Sequence, residues 1–276
     1  MPDIKLIALD LDGTLLNRDK VITNDTLHAL EKAADQGIRI VPATGRLSGA
    51  LPSQVDALPF VRYVIGVNGA EVRDRAENEL LYSAKIEPAR ATAIMTFLDG
   101  LPVIYDCYMD GKAWISQNMK LMIPDYAPDE HYLRMWQTLR QPVPDLKDWV
   151  TENGHGVQKV QCLFRDMDER KRWLDRLPDI FSDVTVTSSV VNNIEFTHRD
   201  ADKGKALTAL AAALNIPVGQ TMAFGDDLND VPMLKAAGIG VSMANAKEEI
   251  RSQADYVTLP CNEDGIARAL EHFGVI

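Results

Sequence analysis

The sequence predicts an α/β protein: a doubly wound, mainly parallel sheet whose core is interrupted by an inserted α+β domain. Three observations lead there. Short apolar runs alternate with stretches of helical periodicity near both ends of the chain. Several of these runs stop at small or polar residues, at Asp10-Leu11-Asp12-Gly13, Thr44-Gly45-Arg46, Asn68-Gly69-Ala70 and Gly225-Asp226-Asp227. Between about Ser83 and Lys203 the alternation lapses, and adjacent strands with segregated helices take over. The expected segments are a core at 1–83, an insert at 84–189 and the rest of the core at 190–276.

Element by element, residues 4–11 form an apolar strand built on Ile4, Leu6, Ile7, Ala8, Leu9 and Leu11. A polar loop follows over 15–23. Residues 24–36 place Leu27, Leu30, Ala33 and Ala34 at helical spacing, and Gly37 stops the helix. Residues 38–43 are a second strand, and strand–helix–strand order implies a parallel pair with a right-handed crossover. A third strand reads at 61–67. In the next stretch a helix at 88–99 precedes strands at 103–109 and 112–116. Prolines make 124–148 read as irregular. A strand at 157–164, a helix at 168–177 and two strands ending at Phe196 come next. Alternation resumes with a helix at 205–214, a strand at 220–225, a helix at 228–237 and a strand at 239–243. A short helix, a strand at 255–258 and a helix at 264–273 close the chain.

Composition narrows the function classes. Acidic residues number 40 against 29 basic ones, a net charge of −11 with no basic run to offset it. Such a chain repels nucleic acid and anionic membrane. Cys107, Cys162 and Cys261 lie far apart, without CxxC or zinc-like spacing, and read as reduced thiols of a cytoplasmic protein. No apolar stretch is long enough to span a bilayer, and the first residues lack a signal-peptide pattern. His28, His131, His155, His198 and His272 are scattered. GxSxG, GxxxxGK[ST] and GxGxxG are all missing, so serine-hydrolase and common nucleotide-binding chemistry find no support.

The acidic strand ends carry the chemistry. Asp10 and Asp12, two positions apart on a strand, share a face and repel each other. A hard cation between them relieves that repulsion, and Mg²⁺ prefers such oxygen ligands. Asp-x-Asp is also ordinary turn chemistry. A second cluster, Gly225-Asp226-Asp227-Leu228-Asn229-Asp230, ends a strand and opens a helix. One aspartate suffices for a cap, and metal binding accounts for the surplus. Lys203 opens the helix after the insert, at the unfavourable end of the macrodipole. An anion beside it explains that position; a solvent-facing lysine is the simpler alternative for the residue taken alone. Thr44 offers a hydroxyl and Gly45 a close backbone approach. Arg46 suits either phosphate pairing or an ion pair within the core.

Taken together, these residues resemble the haloacid dehalogenase-like hydrolase superfamily. Leu9-Asp10-Leu11-Asp12-Gly13-Thr14-Leu15 is similar to its first motif, Thr44 to the second, Lys203 to the third and Asp226 to Asp230 to the fourth. Ala43-Thr44-Gly45-Arg46, Asn68-Gly69-Ala70, Met243-Ala244-Asn245-Ala246 and Asn262-Glu263-Asp264-Gly265 resemble its Cof-type branch, which has a large cap. The resemblance implies a Rossmann-like core and a Mg²⁺-dependent phosphatase acting on a small phosphorylated metabolite, sugar phosphates foremost. It implies Asp10 as nucleophile, forming an aspartyl-phosphate, and Asp12 as general acid and then base. Asp10, the Asp12 carbonyl and Asp226 would hold Mg²⁺, with Asp230 orienting metal-bound water. Thr44, Gly45, Lys203, Asn229 and Arg46 would bind phosphate or substrate. The cap is expected to close over the sheet edge, with substrate choice near 107–112 and 190–195. The alternatives are a phosphohexose mutase of the phosphomannomutase type, a receiver-type signalling domain, and a non-enzymatic phospho-metabolite sensor.

Overall fold

Leu6–Leu9, four buried apolar residues, is an inner strand of a five-stranded parallel sheet. Thr221–Gly225 pairs on one side of it and Arg39–Pro42 on the other. Ile239–Ser242 and Tyr256–Val257 extend the sheet beyond Thr221–Gly225. The computed structural model describes residues 2–276, which divide into two compact units. The first comprises 2–83 with 202–276, the second 84–201.

Both faces of the first unit's sheet are covered, which is why its strands read as continuous apolar runs. Ile7, Leu9, Ile40, Met222, Phe224 and Val241 meet helices Asn24–Asp35 and Gly265–His272 through Leu30, Ala33, Ile266 and Leu270. On the opposite face Leu6, Ala8, Val41 and Ala223 meet Lys203–Ala213 and Val231–Ala236 through Leu207, Leu210, Met233 and Leu234. The expected third strand, Tyr63–Gly66, pairs with the parallel sheet through the single bridge from Ala43 to Ile65. It instead begins an antiparallel meander with Glu71–Asp74 and Glu79–Ser83, two strands that the apolar pattern does not reveal.

The second unit is built on a six-stranded sheet, antiparallel except for its last pair, Lys112–Ser116 with Arg140–Val143. Helices Pro88–Leu98, Leu146–Asn153 and Met167–Ile180 cover one face through Ile94, Met95, Val150 and Leu177. The other face carries buried polar pairs. Arg140 Nε donates to Asp106 at 2.6 Å, and Lys159 Nζ lies 2.8 Å from Glu195.

Two expectations need correction. Residues 124–148 are not irregular: Glu130–Leu139 and the start of Leu146–Asn153 are helical. Asp129 and Asp145 cap these helices from the residue after a proline, so the prolines punctuate helices rather than abolish them. The chain also re-enters the first unit at Asp202 rather than at 190, because Asn193–His198 pairs with Lys159–Phe164 inside the second unit's sheet. Cys107 belongs to the second unit's apolar core, and all three cysteines are unbridged and buried.

Candidate active site

Parallel pairing aligns the carboxyl ends of neighbouring strands, where open α/β sheets bind their ligands. Asp10 follows Leu9 and Asp226 follows Gly225, and the Asp10 N–H donates to the Phe224 carbonyl at 3.0 Å. One carboxylate oxygen from each of Asp10, Asp226 and Asp230 lies within 4.8 Å of the others. The two acidic segments, more than 200 residues apart in sequence, therefore meet.

Lys203 is the cation of this cluster. Its side chain is 0% exposed, and Nζ lies 2.6 Å from Asp10 Oδ1 and 2.6 Å from Asp230 Oδ1. The solvent-facing alternative for Lys203 does not hold. Two features fix its position. Asp202 caps the helix by accepting from Lys205 N at 2.7 Å. Gly69, at φ +90°, lets the Val67–Gly69 turn press on the helix start; a Cβ there would lie 2.2 Å from the Asp202 carbonyl. The other Asp230 oxygen accepts from the backbone N–H groups of Asp226 and Asp227, at 2.9 and 3.0 Å.

Crowding like charges in a buried place disturbs their titration. Burial, with the charge of Asp230 beside it, pushes Asp10 from 3.8 up to about 8 against the pull of Lys203. Burial and Asp230 likewise raise Asp226 to about 6, against the hydrogen bond from Thr14. Burial works against the Lys203 ammonium, but Asp10 and Asp230 outweigh it and hold Lys203 above its ordinary range.

Asp12 stands apart from this cluster. Its carboxylate is partly exposed, 2.8 Å from Lys20 Nζ and 3.2 Å from Arg46 Nη2. Burial pushes its pKa up, yet the hydrogen bond from Lys20 and the charge of Arg46 prevail and hold it low. Arg46 thus makes an ion pair with Asp12 within the first unit. A recess of about 390 Å³ beside Asp12 is bounded by Asn17, Arg18, Lys20 and Asn245 among others. Thr44 is buried at the end of Arg39–Pro42, its hydroxyl accepting from Arg46 N at 3.2 Å. Gly45 backs onto the Asn68 amide, and Asn229 Nδ2 donates to Asn68 Oδ1 at 3.1 Å.

Two residues that sequence reasoning left without a role also reach the centre. Thr14 Oγ1 donates to Asp226 Oδ1 at 3.0 Å, and Asn245 Nδ2 to Asp226 Oδ2 at 3.1 Å. Both stand in quoted motifs, but nothing in the residue types alone tells which carboxylate they hold.

A buried aspartate–lysine centre thus stands at the carboxyl edge of a doubly wound sheet, where such folds bind their ligands. Residues 7–270 match the haloacid dehalogenase-like hydrolase family, and the chain belongs to that family, in its large-cap Cof-type branch. Phosphatase YwpJ of Bacillus subtilis (strain 168) is 34% identical over 98% of this chain and 99% of its own. The 5-amino-6-(5-phospho-D-ribitylamino)uracil phosphatase YcsE of the same organism is 29% identical over 98% of this chain and 96% of its own. Among solved structures, the HAD subclass IIB sugar phosphatase BT4131 aligns at 26% identity with a TM-score of 0.78, covering 99% of this chain and 100% of that one. The protein is a phosphoric monoester hydrolase.

Proposed function

We propose that the protein is a Mg²⁺-dependent phosphatase of small phosphomonoesters, sugar phosphates foremost, working through an aspartyl-phosphate on Asp10. The observation that carries this reading is Asp10 itself, a buried carboxylate at a strand end, 2.6 Å from a buried lysine and beside two further aspartates. The donor set suits the metal. Once ionised, Asp10, Asp226 and Asp230 bring three negative charges against Lys203, so a divalent ion neutralises the cluster, and hard oxygen donors suit Mg²⁺. Asp10, the Asp12 carbonyl and Asp226 would hold it. Both oxygens of Asp230 already carry hydrogen bonds, which suits a supporting role. When bound, the ion would offset the phosphate charge and polarise its oxygens.

The residues then divide the work. An oxygen of Asp10 attacks phosphorus as the bond to the leaving oxygen breaks, and Asp12 gives that oxygen a proton. Lys203, Thr44, Asn229 and the Gly45 amide stabilise the charge on the transferring group. Asp12 next takes a proton from the water that attacks phosphorus, releasing phosphate and restoring Asp10. Lys20 and Arg46 hold Asp12 as the carboxylate, the form this second half requires. For the first half Asp12 must carry a proton, taken up from solvent as the negative charge of the bound phosphate raises its affinity for one.

Sugar phosphates are favoured by the likeness to BT4131, and the YcsE likeness adds a phosphorylated ribityl compound to the candidates. The unbridged cysteines agree with a cytoplasmic setting. Among the described residues, no helix is long and apolar enough to cross a membrane. The test is a panel of phosphomonoesters assayed for released phosphate with and without Mg²⁺. Metal-dependent release that disappears in Asp10→Asn is expected; an isomeric sugar phosphate without free phosphate would reassign the enzyme as a mutase.

A further inference from the structure

Two motifs that the chemistry above leaves unused, Met243-Ala244-Asn245-Ala246 and Asn262-Glu263-Asp264-Gly265, meet beside the centre. Asn245 lies in the loop after Ile239–Ser242. Its Oδ1 accepts from Cys261 N at 2.9 Å, which fixes the orientation of the amide. Its Nδ2 consequently faces the site, 2.9 Å from the Gly13 carbonyl and 3.1 Å from Asp226 Oδ2. In the segment that follows Cys261, Arg18 N donates to Asn262 Oδ1 at 3.0 Å, and the Thr23 hydroxyl donates to Asp264.

We propose that Asn245 is a positioning residue of the divalent-cation site, fixing the Asp226 carboxylate against the Asp12–Gly13 backbone. This inference rests on the metal reading given above. Asp226 Oδ2 and the Gly13 carbonyl are both acceptors, and their segments are close: a Cβ on Gly13 would lie 2.3 Å from that same carboxylate oxygen. Left alone, the two groups repel and the Asp226 side chain turns away. An amide nitrogen carries two hydrogens, one for each acceptor, and its oxygen remains for the Cys261 anchor. No other uncharged side chain of this length offers two donors and an acceptor in one plane. With Thr14 on Oδ1, both oxygens of Asp226 are oriented before a cation arrives. Outer partners of metal-binding carboxylates are typically worth about 10–100-fold in metal affinity.

The experiment titrates Mg²⁺ into metal-stripped wild type, Asn245→Ala and Asn245→Ser, following heat of binding and melting temperature without substrate. The serine variant keeps a polar side chain that is too short to reach Asp226, and it covers the case in which the alanine variant folds poorly. Expected are Mg²⁺ dissociation constants about 10–100-fold weaker in both, metal-free melting temperatures within about 2 °C of wild type, and turnover lost at low Mg²⁺ but regained at saturation. Affinity within about twofold of wild type in Asn245→Ser overturns the assignment, as does a melting-temperature loss with unchanged affinity. A wild type that binds no Mg²⁺ overturns the metal reading itself, a result distinguishable from either of those.

Discussion

Asp10→Asn should abolish turnover and, in the absence of metal, make the fold more stable. Burial and Asp230 raise the Asp10 pKa from 3.8 to about 8. Over that interval the unfolded chain has released the proton while the native state retains it. The native state then binds more protons, so stability falls as pH rises. From 3.8 to pH 7 spans about three decades of proton affinity at about 1.4 kcal/mol each, a loss on the order of 4 kcal/mol. Asparagine mimics the protonated form and avoids that loss. Opposing it is the broken pair with Lys203, and removing one partner of a buried ion pair ordinarily costs about 3–5 kcal/mol. That cost falls on a stranded charge, and Lys203 is not stranded because Asp230 remains 2.6 Å away. The first effect prevails. The assay is thermal unfolding in chelator from pH 5 to 8.5, where about 2–4 °C per kcal/mol makes the gain readily visible at pH 8. A variant that melts below wild type at pH 8, or that keeps the wild-type pH slope, refutes the reasoning.

Three further outcomes follow from the same geometry. Mg²⁺ affinity should strengthen from pH 5 to 8, because Asp226 at about 6 and Asp10 at about 8 must lose protons to bind it; calorimetry in buffers of different ionisation heat should register proton release, and pH-independent affinity rejects the shifts. Lys203→Met strands Asp10 and Asp230 and should cost about 3–5 kcal/mol in metal-free urea unfolding at pH 8, with turnover reduced to background. Gly69→Ala and Gly37→Ala both strain a positive φ, by about 1–3 kcal/mol each, but only the former pushes on Asp202. Activity should therefore fall in the Gly69 variant and persist in the Gly37 variant at temperatures where both are folded; equal activities would detach the turn from Lys203.

The parallel core was legible because strands buried on both faces are continuous apolar runs, and the helices between them are marked by periodicity and by Gly37. Glu71–Asp74 was not, since Glu71 and Asp74 are buried charges that no apolar pattern flags. Glu130–Leu139 was hidden by the prolines around it, although Asp129 offered the cap signal. The late return to the first unit was missed for a different reason: strand character at 193–198 says nothing about which sheet the strand joins. At the site, residue types disclosed the aspartates and the lysine. They did not disclose that Lys203 bridges Asp10 and Asp230, or that Arg46 and Lys20 share Asp12, since those partnerships depend on tertiary placement.

A single residue, Asp202, separates the end of the inserted unit at Ala201 from Lys203. That residue is both helix cap and the surface on which Gly69 rests, so the lysine takes its coordinates from the first unit's own backbone. The fold has in effect a socket: whatever sequence or length is spliced in upstream, the helix restarts in the same place. The insert can therefore vary while the lysine keeps its place between Asp10 and Asp230.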